Sequence, residues 1–106
     1  MDNVRPIWEP SAERIERANL SRFLRFVREQ TGSEDIRGYA SLYDFSVHQP
    51  EKFWPLVWEF CGIRASGSFD DVLVDGDKMP GAKWFPGLRL NFAQNLLRYK
   101  DERAAI

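Results

Sequence analysis

The sequence predicts an α+β, mostly helical segment of three to four helices with one or two short strands. Three observations lead to that class. An apolar stripe at helical spacing runs between Ser11 and Gly32, an aromatic-rich run lies between Pro50 and Gly62, and residues 65–90 change to a Gly, Pro and Asp texture around the short apolar run Val72-Leu73-Val74.

The first helix is expected after residues 4–10, where Pro6 and Pro10 disfavour helix. Ser11 can cap it, and it runs toward Gln30 and stops at Gly32. Ile15, Leu20, Phe23, Leu24, Phe26 and Val27 share one side, and Arg14, Arg17, Arg22, Arg25 and Arg28 share the other. Glu16 and Asn19 fall within the apolar arc, so a kink or restart is expected near Asn19. After the turn-rich residues 31–38, Ser41 with Asp44 supplies the start signal of a short helix over residues 41–47. Pro50 suits the first turn of the next helix, which reaches Cys61 with Gly62 as terminator; Pro55 inside it predicts a bend or a late start. Its residues Phe53, Trp54, Leu56, Val57, Trp58, Phe60 and Cys61 sweep roughly 200° of the wheel, twice the stripe of an ordinary surface helix. Such a helix wants neighbours on two sides. Residues 72–74 form a strand candidate followed by an Asp75-Gly76 turn, and a second extended piece holds Trp84 and Phe85, giving a possible hairpin. Asn91 caps a last helix with Gln94 completing the box, and Phe92, Leu96 and Tyr99 follow at i, i+4 and i+7.

The chain of 106 residues is expected to form one domain over residues 1–106 that buries roughly 60 to 70% of its unfolded surface. Hydrophobic residues at 43% and charged residues at 29% are globular composition. Four Trp, eight Phe and three Tyr are a large aromatic load for so short a chain. A net charge of −1 and a pI near 5.8 supply no positive field for nucleic acid or an anionic membrane surface. No run approaches the ~20 apolar residues of a membrane-spanning helix. The single Cys61 and the absence of a signal-peptide pattern suggest a reducing, cytoplasmic setting.

Individual residues support only modest chemistry. The arginine stripe reads as a solvated helix face rather than a phosphate or RNA face, because Glu13 and Glu29 lie near it. His48 could be a general base but stands before Pro50 with no nameable partner, and Cys61 reads as a buried, inert thiol at a helix end. Asp70, Asp71, Asp75 and Asp77 do not follow a calcium-loop spacing and read as turn residues.

Three stretches in order, ANLSRFLRFV (18–27), FWPLVWEF (53–60) and GAKWFPGLRLNFAQNLL (81–97), resemble the amino-terminal region of acetoacetyl-CoA synthetases, which is related to that of acetyl-CoA synthetases. The resemblance implies a segment of an adenylate-forming acyl-CoA synthetase, which joins a carboxylate to AMP from ATP and then passes the acyl group to CoA. For this subgroup the acid would be acetoacetate. The resemblance implies ATP, Mg and CoA for the parent enzyme and none for this segment, and its partner would be the large adenylation domain of the same polypeptide, with no nucleic acid and no membrane. The superfamily's phosphate loop, adenine-side acidic motif and catalytic Lys do not occur here; residues 76–87 lack the Gly-x-x-x-x-Gly-Lys-Ser/Thr pattern. No catalytic, cofactor-binding or metal-ligating residue is therefore assigned. The chain is expected to be truncated, with Ala104-Ala105-Ile106 as the first residues of a strand of the large domain. The expected role is a structural cap, inactive alone. The rivals are a free-standing protein-interaction module using the aromatic surface around Trp54 and Trp58, and a small enzyme using His48 and Cys61.

Overall fold

A computed structural model describes residues 4–104 of the chain. They form five helices and four two-residue strands, in the order α1 (Ala12–Glu16), α2 (Asn19–Thr31), α3 (Tyr39–His48), α4 (Pro50–Cys61), β1 (Ala65–Ser66), β2 (Leu73–Val74), β3 (Lys83–Trp84), β4 (Arg89–Leu90) and α5 (Phe92–Leu96). The mostly helical α+β class is as the sequence predicts, with one more helix and two more strands. The chain divides into two compact units, one up to Phe45 and one from Ser46 onward.

The first unit contains the restart expected near Asn19. The Ser11 hydroxyl accepts from the Arg14 N–H and caps α1, which closes after five residues. The chain passes through extended backbone at Ala18 and re-enters helix at Asn19, with no side-chain cap. The Ser21 hydroxyl donates to the Ile15 carbonyl across this break, joining the Ala18 N–H on the same acceptor at the end of α1. α2 stops at Gly32, whose φ of 70° is the left-handed cap that a side chain resists.

The core of this unit is small. Phe23, Leu24 and Val27 from α2, Ile36 from the following loop, and Leu42 and Phe45 from α3 are buried, and Val27 is fully so. Ile15 and Leu20 belong to the predicted apolar stripe but remain exposed. On the other side, Arg17 pairs with Glu13 at 3.2 Å and Arg22 bonds to the Asn19 side chain, so the stripe is mostly the solvated face expected. Arg28 differs: its Nη1 donates to the Ile36 carbonyl at 2.9 Å and ties the core loop to α2.

α3 starts two residues before the sequence signal. Ser41 is its third residue, and its hydroxyl accepts from the Arg37 and Gly38 N–H groups while donating to the Gly38 carbonyl. The serine thus caps backward from inside the first turn, the reciprocal half of a capping box.

In the second unit, α4 begins at Pro50 and runs through Pro55 to Gly62, which has φ 62°. Of the expected bend or late start at Pro55, the late start is not found: Pro50 already supplies a pre-set first turn, and Pro55 forfeits a single N–H inside the helix. The hairpin does form, with Leu73 opposite Trp84 and Val74 opposite Lys83 in an antiparallel ladder. A second antiparallel pair, Ala65 with Leu90 and Ser66 with Arg89, is absent from the sequence reading. Gly67 and Gly87 flank it, and a Cβ on either would come within 2.6 Å of a backbone carbonyl oxygen of the other segment. Only glycine permits that approach.

Asn91 caps α5 by accepting from the Gln94 N–H at 3.1 Å. The helix ends at Leu96, so Tyr99 lies beyond it and does not continue the predicted stripe; Phe92, Leu96 and Tyr99 are all strongly exposed. Ala105 and Ile106, part of the predicted start of a further strand, lie outside the described residues.

Candidate docking surface

Every buried hydrophobic residue lies in the first unit; among the described residues from Ser46 onward, none reaches full burial. The exposed area of the chain is 9350 Å². A compact 12.4 kDa monomer exposes about 6,100 Å², and two independent compact halves would expose only about 7,400 Å². Relative to the unfolded chain, folding buries about half of the surface, not the 60 to 70% expected from length. Exposed large hydrophobics run from Val4 and Ile7 to Leu97 and Tyr99, and the aromatic group on α4 and the hairpin is among them.

α4 supplies Phe53, Trp54 and Trp58, and the hairpin with its flanks supplies Phe69, Trp84 and Phe85. Trp54 meets Trp84 edge to face with ring centroids 6.0 Å apart, and Phe53 meets Trp54 at 5.0 Å. Trp58 lies 4.9 Å from Phe85, which is met edge-on by Phe69 at 5.2 Å. These spacings are favourable for aromatic pairs. They hold the rings to each other without covering them: Trp54, Phe69 and Trp84 stay 43%, 42% and 46% exposed. Between Trp54, Trp84 and Phe85 lies an open groove of ≈ 340 Å³.

Phe85 is held in this arrangement at a backbone cost. Its φ of 45° is left-handed, a conformation that costs a side-chain-bearing residue on the order of 1–2 kcal/mol. Its N–H donates to the Val72 carbonyl at 2.7 Å and its carbonyl accepts from the Leu88 N–H at 3.1 Å, which fixes the turn. Trp54 and Trp58 are the members of this surface expected from the sequence; Phe69, Trp84 and Phe85 join them only in the structure. The Phe85-Pro86-Gly87 turn was the available signal.

A polar clamp holds the far end of α4. The Asn95 side chain accepts from the Arg64 N–H at 2.7 Å and donates to the Arg64 carbonyl at 2.9 Å, copying a strand pairing. Arg98 donates through Nη1 to the carbonyls of Cys61 and Gly62 at 2.8 and 2.9 Å, and through Nε to the Asn95 carbonyl at 2.9 Å. A cation on the last carbonyls also suits the negative end of a helix. Further on, Arg103 grips Asp101 with both arms of its guanidinium and holds that carboxyl below its ordinary range, while its own face lies 4.7 Å from the Tyr99 ring.

His48 is the exposed last residue of α3, as a helix-end histidine should be. Cys61 is exposed, which corrects the expectation of a buried thiol: α4 contains no buried residue, so the end of its apolar sweep has nothing to cover it. His48 closes α3 and Cys61 closes α4, and the Cys61 thiol has no hydrogen bond among the described residues, so the two form no nucleophile–base pair. Asp75 behaves as a turn residue, with φ 55° and its carboxylate 3.5 Å from Lys78. The glycine loop does not fit a nucleotide phosphate either. Gly76 packs toward the Leu73 side chain, and Gly87 toward the Ser68 carbonyl oxygen, so the open side of Gly87 faces an acceptor, not a cradle of N–H donors.

A helical unit whose aromatic side chains stay partly exposed carries a candidate interaction surface. The family model described as acetyl-coenzyme A synthetase N-terminus matches residues 39–96, more than half of the chain, and the chain belongs to that family. It is 41% identical over 98 residues to acetoacetyl-coenzyme A synthetase of Rhizobium meliloti (strain 1021), an alignment covering 92% of this chain and 15% of the relative. It is 37% identical over 99 residues to malonamoyl-CoA synthetase vrtB of Penicillium aethiopicum, covering 92% of this chain and 13% of the relative. The structure of acetoacetyl-CoA synthetase from Streptomyces lividans matches with a TM-score of 0.75 and 37% identity, over 90% of this chain and 16% of that one. The chain thus spans about 15% of the length of the curated relatives it matches.

Proposed function

We propose that this chain is the N-terminal segment of an ATP-dependent acetoacetate–CoA ligase, where it acts as a structural cap on the large adenylation domain and is inactive alone. The parent would convert acetoacetate, ATP and CoA to acetoacetyl-CoA, AMP and pyrophosphate in the cytoplasm, with Mg and the reacting nucleotide held at a catalytic site outside this segment. The observation that carries the cap role is the second unit, in which three tryptophans and their phenylalanine partners pack on each other and none is buried. Family membership supports the parent, and relatives about 6 to 7 times longer supply room for the missing partner. A similar identity to a relative named for malonamoyl-CoA supports placing acid selection outside this segment.

The test is AMP formation from ATP, Mg, CoA and acetoacetate. Three samples are compared: the chain alone, a synthetase remainder lacking the matched segment, and their mixture. Silence from the chain and recovery of activity only in the mixture are expected. AMP formation by the chain alone, or full activity of a remainder that does not bind it, would contradict the cap role.

A further inference from the structure

The clamp around α5 borders a recess of ≈ 540 Å³ whose charged lining residues are Arg64, Arg98 and Lys100. Three cations with no carboxylate are a local departure in a chain whose 16 acidic residues outnumber its 15 Lys and Arg. Arg98 is set in place by three backbone carbonyls through Nε and Nη1, which leaves Nη2 without a hydrogen bond among the described residues. The Arg64 backbone is pinned by Asn95, while its guanidinium has no ion pair or hydrogen bond among the described residues, and neither has the Lys100 ammonium. Asp101, the nearest acid in sequence to Lys100, is already gripped by Arg103. Asn91 and Gln94 also line the recess, and both carry a side-chain amide, a neutral donor type.

From this convergence we infer that the recess binds a multiply charged phosphate group, with Arg98 as the fixed anchor and Arg64 and Lys100 as exposed arms. A guanidinium fork matches the oxygens of a phosphate, and an ammonium adds charge without demanding geometry. The site does not depend on the synthetase reading, because its donors all belong to this chain. The phosphate could come from an inorganic polyphosphate or from a nucleotide, and pyrophosphate and AMP separate the two sources.

The experiment is calorimetric titration of the 106-residue chain with each probe at constant ionic strength, with sodium chloride as the screening control. Saturable binding is expected, weakened about tenfold by Lys100→Ala or Arg64→Ala. Both side chains are exposed, so the circular dichroism of these variants should match that of the parent chain. Tighter binding of one probe identifies the source. Heats no different from the chloride control, or variants that bind like the parent chain, would overturn the site.

Discussion

At the residue scale, a few side chains do the joining that a hydrophobic core does elsewhere. Asn95 bridges 31 residues of sequence to pair with both backbone groups of Arg64. Asn95→Ala is expected to destabilise the chain by about 1 kcal/mol, since these bonds are solvent-exposed and contribute at the modest end of the range. Urea denaturation measures it, and amide exchange at Arg64 should accelerate in the same variant. The Asp101–Arg103 grip has its own signature. The guanidinium lowers the carboxyl pKa, so the contact is complete above the ordinary carboxylate value and is lost as pH falls through the lowered one. Carboxyl-detected NMR titration should place the Asp101 midpoint below an ordinary aspartate, and Arg103→Ala should return it there. An unchanged midpoint in the variant would show that the grip does not exist in solution.

At the scale of elements, the legible parts of the sequence were those governed by local chemistry. Ser11, Gly32, Pro50, Gly62 and Asn91 each act on neighbours within a turn, and the structure uses each as a cap or terminator. The restart at Asn19 was legible because a polar side chain in an apolar arc is a local conflict. The β1–β4 pair was not, because its two residues per strand carry no alternation and its partners are joined through Gly67 and Gly87, 20 positions apart. Burial was legible for Phe23, Leu24 and Val27 but not for Ile15, whose periodicity is equally good, because the five-residue α1 brings it no core. A substitution pair separates these cases. Val27→Ala, at a fully buried site, should cost on the order of 2 kcal/mol, whereas Phe92→Ala, at a residue 80% exposed, should change stability by less than about 0.5 kcal/mol. Thermal denaturation of the two variants is sufficient, and equal effects would contradict the division of the core described above.

At the scale of the whole molecule, the exposed area of 9350 Å² measures how much surface folding leaves uncovered. Composition alone announced a large aromatic load, and the structure gathers one mutually packed group of it on α4 and the β2–β3 hairpin, while Trp8, Tyr39, Tyr43, Phe92 and Tyr99 stand more exposed elsewhere. What the sequence could not show was which rings would meet. Trp54 and Trp58 lie one turn apart on α4, yet each is matched to a different hairpin residue, Trp84 and Phe85. That pairing depends on a left-handed phenylalanine that no periodicity reveals. The result is an aromatic face that is ordered before any partner arrives, which reduces the entropy lost when one does.

The most direct test of this account is acrylamide quenching of the tryptophan fluorescence of the chain, alone and with a tryptophan-free remainder of an acetoacetyl-CoA synthetase. In a Trp8→Phe, Trp58→Phe variant, whose remaining indoles are Trp54 and Trp84, the chain alone should be readily quenched, and addition of the remainder should protect both indoles. Tryptophans already shielded in the isolated chain, or unprotected in the presence of the remainder, would contradict it.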